Sequence, residues 1–117
     1  MRQVKKVQPK EVWSAWVRYE ENPQKGKYRP VLVVDVADDK ALVLSVPITS
    51  SQPWDEYDIG VFDWADIPLD HFSTACVSHV LAIPIADFCK RLGVISDDDW
   101  QMITDLLMQY MEHHEIP

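Results

Sequence analysis

Lys25, Lys27 and Arg29 place three positive charges just before a run of β-branched and apolar residues, in the stretch KGKYRPVLVVD spanning residues 25–35. Arginine offers a rigid fork of donors that matches phosphate geometry, and it stays charged throughout the physiological range. Gly26 lets the backbone approach an anion closely or adopt a positive φ. The same residues would equally suit a solvated hairpin loop. A second candidate is PITS, residues 47–50, where Thr49 and Ser50 follow an apolar run. Such a pair commonly closes a turn through its hydroxyls. If residues 30–37 and 41–48 pair across a turn at 38–40, positions whose numbers sum to about 78 face each other. Arg29 and Thr49 then meet at the open end of the hairpin, where a guanidinium and a hydroxyl can touch one phosphate.

Other reactive side chains are less well placed. Cys76, His79 and Cys89 carry metal-ligating atoms, but an offset of three on a strand points to opposite faces, and no fourth ligand has suitable spacing. Cys76 suits a small buried position. His71, His79, His113 and His114 are candidate general bases by type. On a strand, however, Ser78 and His79 would diverge. Asp97, Asp98 and Asp99 follow Ser96 as the capping and dipole chemistry of a helix start requires. Trp13, Trp16 and Tyr28 could stack on a base, or serve as core and hairpin braces. The acids between Asp55 and Asp70 interleave with Trp54, Tyr57, Phe62 and Trp64, as a solvated edge or a surface for a basic partner would.

Charge is distributed unevenly in this chain of 117 residues with net charge −8. Residues 1–29 hold eight basic residues against three acids, whereas residues 30–117 hold three against sixteen. That asymmetry suggests one face for an anion and another for a basic or neutral partner.

The elements that must position these groups follow from periodicity. VWSAWVRY (12–19) alternates as a strand with Trp13, Ala15, Val17 and Tyr19 on one side. Residues 20–29 read as a loop, PVLVVDVA (30–37) as a central strand and ALVLSVPI (41–48) as its hairpin partner. EYDIGVF (56–62) and TACVSHVLAI (74–83) are further strands, and residues 85–91 form one or two helical turns capped by Gly93. After Ser96, Trp100, Ile103, Leu106, Leu107, Tyr110 and Met111 recur at spacings of three and four as an amphipathic helix. Ser96 with Asp99 approximates a capping box. The length suits one domain, residues 1–117, with 1–9 as a flexible tail. Two cysteines make no disulfide framework, no apolar run approaches the ~20 residues of a membrane span, and the basic N-terminus has no apolar segment behind it. These features fit a reduced, cytoplasmic α+β domain.

KGKYRPVLVV followed by a return strand ending VPITS resembles the PemK/MazF toxins of bacterial toxin–antitoxin systems. VWSAWVRYEEN is similar to that family's first strand and loop, and RLGVISDDDWQMITDLLMQY to its closing glycine, helix cap and C-terminal helix. The resemblance runs over roughly residues 10–112, with Tyr57–Trp64 looking like a divergent branch. It implies a small SH3-like β-barrel with a C-terminal helix, usually a homodimer. It further implies a metal-independent endoribonuclease without cofactor, acting on single-stranded RNA and neutralised by a small antitoxin. Arg29 and Thr49 match the family's catalytic arginine and threonine, and Lys25, Lys27, Tyr28 and Ser50 would flank them on the RNA. Better-known members carry an arginine–threonine pair where this chain has Leu81 and Ala82. A catalytically inactive barrel that binds nucleic acid or protein is the alternative.

Overall fold

A computed structural model describes residues 6–19, 21–37, 41–50, 52–53, 55–62, 67, 69 and 73–113. The turn expected at 38–40 and the residues Trp54, Trp64, His71 and His114 lie outside these. The chain runs as β1 (Glu11–Arg18), β2 (Gly26–Val36), β3 (Leu42–Thr49), β4 (Asp58–Val61), β5 (Ser73–Cys76), β6 (Leu81–Pro84), β7 (Phe88–Val94) and α1 (Asp97–His113). All ladders are antiparallel, in the order β4-β5-β3-β2-β1-β7, with β6 added to the outer edge of β3.

β6 and β7 sit at opposite ends of the β6-β3-β2-β1-β7 run, yet only the single 3₁₀ turn Ile85–Asp87 separates them. The sheet must therefore curl until its ends approach. Trp13, Ala15, Val31, Val33, Val43, Ile83 and Phe88 fill the inside of the curl, with Trp13 edge-on to Phe88 at 6.0 Å. Val7, within the tail expected over residues 1–9, also packs there. Among the described residues no ladder joins β6 to β7, so the expected barrel is a strongly curled, open sheet.

The outer face carries a second core. Val12, Leu32 and Val46 stand in register across three strands and, with Ile48, Val61, Ala75 and Val77, receive Ile103 and Leu107 of α1. Burying each such aliphatic side chain stabilises the fold by about 1.5–3 kcal/mol. Those contacts hold a 17-residue helix that would be marginal alone. Trp100, Leu106 and Tyr110 flank the stripe as expected, whereas Met111 is exposed. At the helix start Ser96 Oγ accepts the backbone N–H of Asp99 at 3.1 Å. Asp99 is buried, and its carboxylate accepts the Phe62 N–H at 3.1 Å, so it ties the helix to the end of β4.

Three expectations need correction. Residues 26–29 are strand, because β2 continues along β1 as far as Gly26 opposite Arg18. Residues 88–94 are strand as well, and Gly93 pairs with Val12 in place of capping a helix. The segment 74–83 is broken by a 3₁₀ turn at Val77–His79. The reason for the break lies on β3. Its outer edge pairs with β6 through Leu42–Ser45 and with β5 through Ile48 and Thr49. The connecting turn therefore passes beside Val46 and Pro47, where proline has no N–H to satisfy.

Candidate active site

β2 and β3 pair as Val31↔Pro47, Leu32↔Val46 and Val33↔Ser45, each summing to 78. Two residues further toward the open end, Arg29 and Thr49 continue the alternation on the same side as Val31 and Pro47. That side is the inside of the curl. At this end of the sheet the two residues border two cavities, one on each face.

The outer cleft, about 400 Å³, is lined by Lys27, Tyr28, Arg29, Thr49 and Ser50 together with Ser14, Ile48 and Ser73. Five of the six residues expected at the site are thus brought together. Lys25 does not line this cleft: its backbone closes the loop before β2, with N–H to Asn22 and carbonyl to Tyr19, both at 2.9 Å. Tyr28 is 60% exposed and pairs across the ladder with Trp16, ring centroids 5.0 Å apart in a T-shaped contact. Trp16 thus braces Tyr28, and Trp13 is core. Gly26 does not adopt a positive φ. A Cβ there would lie 2.3 Å from the carbonyl oxygen of Val17, so the β1–β2 approach is what requires glycine.

The inner cleft, about 380 Å³, is lined by Val17, Arg18, Tyr19, Glu21, Arg29, Pro47, Thr49, Cys76, His79 and Leu81. Sequence reasoning missed this grouping, because treating residues 74–83 as one strand sent Ser78 and His79 to opposite faces. In the 3₁₀ turn they are neighbours, with Ser78 Oγ 3.4 Å from His79 Nδ1. Leu81 borders the cleft, whereas Ala82 faces a smaller cavity of about 120 Å³ beside Trp16 and Arg18.

Arg29 is half-buried, and among the described residues no group accepts a hydrogen bond from its buried Nε. Its charge reaches Cys76, which lies opposite Asp58 in the β4–β5 ladder. Burial, then the nearby charges of Asp58 and Asp55, push the Cys76 thiol up to about 11, while Arg29 pulls the other way. Cys76 is therefore a protonated, half-buried thiol. Among the described residues no three His, Cys, Asp or Glu side chains converge on a possible metal position.

A family model described as the PemK-like, MazF-like toxin of type II toxin–antitoxin systems matches residues 8–111. The chain belongs to that family. PemK/MazF-like architecture also appears in solved structures. The Mycobacterium tuberculosis toxin MazF-mt6 superposes with a TM-score of 0.68 at 17% identity, covering 87% of this chain and 96% of that one. A mycobacterial endoribonuclease in complex with its cognate antitoxin gives 0.73 at 13% identity, covering 95% and 100%. A further mycobacterial endoribonuclease gives 0.70 at 13% identity, covering 99% and 100%. At these identities the likeness concerns the fold. No curated protein matches the sequence. Among the described residues of this PemK/MazF-family chain, no helix is long and apolar enough to cross a membrane.

Proposed function

We propose that this protein is the toxin of a type II toxin–antitoxin pair and cleaves single-stranded RNA without a metal ion, with Arg29 and Thr49 at the scissile phosphate. The observation that carries the reading is the buried Nε of Arg29, which has no acceptor among the described residues and lies between two clefts at the open end of β2 and β3. A buried donor without an acceptor costs about 1–3 kcal/mol, and a phosphate oxygen would supply the acceptor. The basic quarter of an otherwise acidic chain contributes this end of the sheet.

Attack by a ribose 2′-hydroxyl on the adjacent phosphorus builds negative charge on the nonbridging oxygens. Arg29, whose backbone is paired with Ala15, stabilises that charge with its donor fork, the kind of electrostatic contribution that dominates many active sites. Thr49 donates a hydrogen bond to the same phosphate. Lys27 at the outer cleft, with Lys25 beyond it, holds flanking phosphates, while Tyr28 offers a braced ring and Ser50 a second hydroxyl. The family supplies the rest of the reading: a homodimer in the cytoplasm, held inactive by a small antitoxin. One feature favours a second reading, a barrel that binds RNA without cutting it. Leu81 gives the inner cleft an apolar wall, and Ala82 adds no polar group.

The deciding experiment is incubation of a long single-stranded RNA with purified protein in EDTA, beside Arg29→Ala. Discrete cuts by the wild type, with the variant slowed about 10²–10³-fold and still folded, are expected. Salt-dependent binding by both without cleavage by either would replace the nuclease with the binding module.

A further inference from the structure

We propose that His79 is the general acid of this site, protonating the 5′-oxygen that leaves when the RNA backbone is cut. The inference rests on the reading that Arg29 and Thr49 hold the scissile phosphate. Because β3 changes partner from β6 to β5 along one edge, the residues between those strands must step out as a turn beside Pro47. The turn makes His79 a wall of the cleft that Arg29 and Thr49 also line. His79 is exposed, and Ser78 Oγ lies on its Nδ1 side, leaving Nε2 as the nitrogen for a ligand.

The other ionisable groups of this cleft are Arg18, Tyr19, Glu21, Arg29 and Cys76, with Asp58 and Tyr57 of the adjoining segment packed behind the turn. Guanidinium groups do not release a proton in proteins. Burial and Asp58 keep the Cys76 thiol protonated. Imidazole is the side chain whose ordinary titration lies near neutrality, so it can both give a proton and be reloaded.

The step balances without any other reagent. The 2′-oxygen bonds to phosphorus while its proton passes to water, and the bond from phosphorus to O5′ breaks. O5′ takes the proton from imidazolium Nε2. The products are a 2′,3′-cyclic phosphate and a 5′-hydroxyl, and solvent returns the proton to His79.

The test uses an oligoribonucleotide spanning one mapped cut, made with either oxygen or sulfur at the 5′-bridging position. A thiolate departs without needing a proton. His79→Ala is expected to slow the oxygen substrate about 10²–10³-fold and to cut the sulfur substrate nearly as fast as the wild type. His79→Gln, which keeps a polar side chain but transfers no proton, should behave the same way. Arg29→Ala should slow both substrates. Equal slowing of both substrates by His79→Ala, or no slowing of either, overturns the role of His79 while the nuclease reading stands. If the wild type cuts no RNA at all, the nuclease reading falls and this role falls with it. Circular dichroism and melting of each variant separate lost chemistry from lost fold.

Discussion

Arg29 and Thr49 lie two residues beyond the Val31–Pro47 pair, on the same side of neighbouring strands, and share two clefts on opposite faces of one sheet end. A ligand held there meets a cation and a hydroxyl whose backbones are set by ladder pairing, Arg29 opposite Ala15 and Thr49 opposite Thr74. The placement of Arg29 also distinguishes its fork from its charge. Arg29→Lys keeps the charge but loses the planar donor set. We expect its RNA cleavage rate to fall on the order of 10²-fold, with binding in a filter assay much less affected. Full activity in the lysine variant would mean that charge alone suffices.

Gly26 should be intolerant of any side chain. Its missing Cβ is the space occupied by the Val17 carbonyl, which is backbone and cannot rotate away. Gly26→Ala is expected to destabilise the fold by about 1–3 kcal/mol, read as a lower urea midpoint at unchanged slope. Because Arg29 follows on the same strand, cleavage should fall as well.

Asp99 ties the helix to the sheet through the Phe62 N–H. Asp99→Ala strands that donor and should cost about 1–3 kcal/mol in thermal or urea unfolding. Asp99→Asn, which keeps an acceptor oxygen, should recover part of the loss. Ser96→Ala should cost about 1 kcal/mol, since it removes only the cap.

Glu11 should contribute to acid sensitivity. Burial raises its pKa, but hydrogen bonds from Arg91 Nε at 2.6 Å, Trp13 Nε1 at 3.1 Å and the Gln8 N–H at 2.8 Å outweigh it, leaving the carboxyl below its ordinary 4.5. A depressed folded-state pKa means stability present above 4.5 and lost as pH falls through the folded value. Glu11→Gln should therefore be less stable at pH 7 and show a shallower loss on acidification, measured as melting temperature between pH 6 and pH 3. An acid limb as steep as the wild type's would assign that sensitivity to other carboxylates.

The two cysteines should differ sharply toward a thiol reagent. Cys89 is exposed, whereas Cys76 is half-buried with its thiol at about 11. At pH 8, Cys89 is expected to be modified first and Cys76 only slowly, followed by mass spectrometry of each peptide. Equal rates would show that the β4–β5 edge opens readily.

Local pattern by itself determined much of this protein. The spacing of Ile103 and Leu107 marked the helix, the acids after Ser96 marked its start, and two valine-rich runs around a short polar segment marked the β2–β3 hairpin with its register near 78. Those features rest on periodicity and on turn and cap chemistry, which are local. That Arg29 and Thr49 share one end of the hairpin was legible for that reason. The limits of β2 were not, because Lys27 and Tyr28 become strand only through pairing with Val17 and Trp16. Nor could spacing show that Gly26 serves the close approach of Val17 to it, or that Asp99 reaches Phe62, 37 positions away. His79 is the clearest case. Its place on the cleft that Arg29 also lines follows from β3 sharing one edge between β5 and β6, which forces a turn where the local sequence reads as strand. Partner exchange along an edge is a long-range event, so only the tertiary structure decided it.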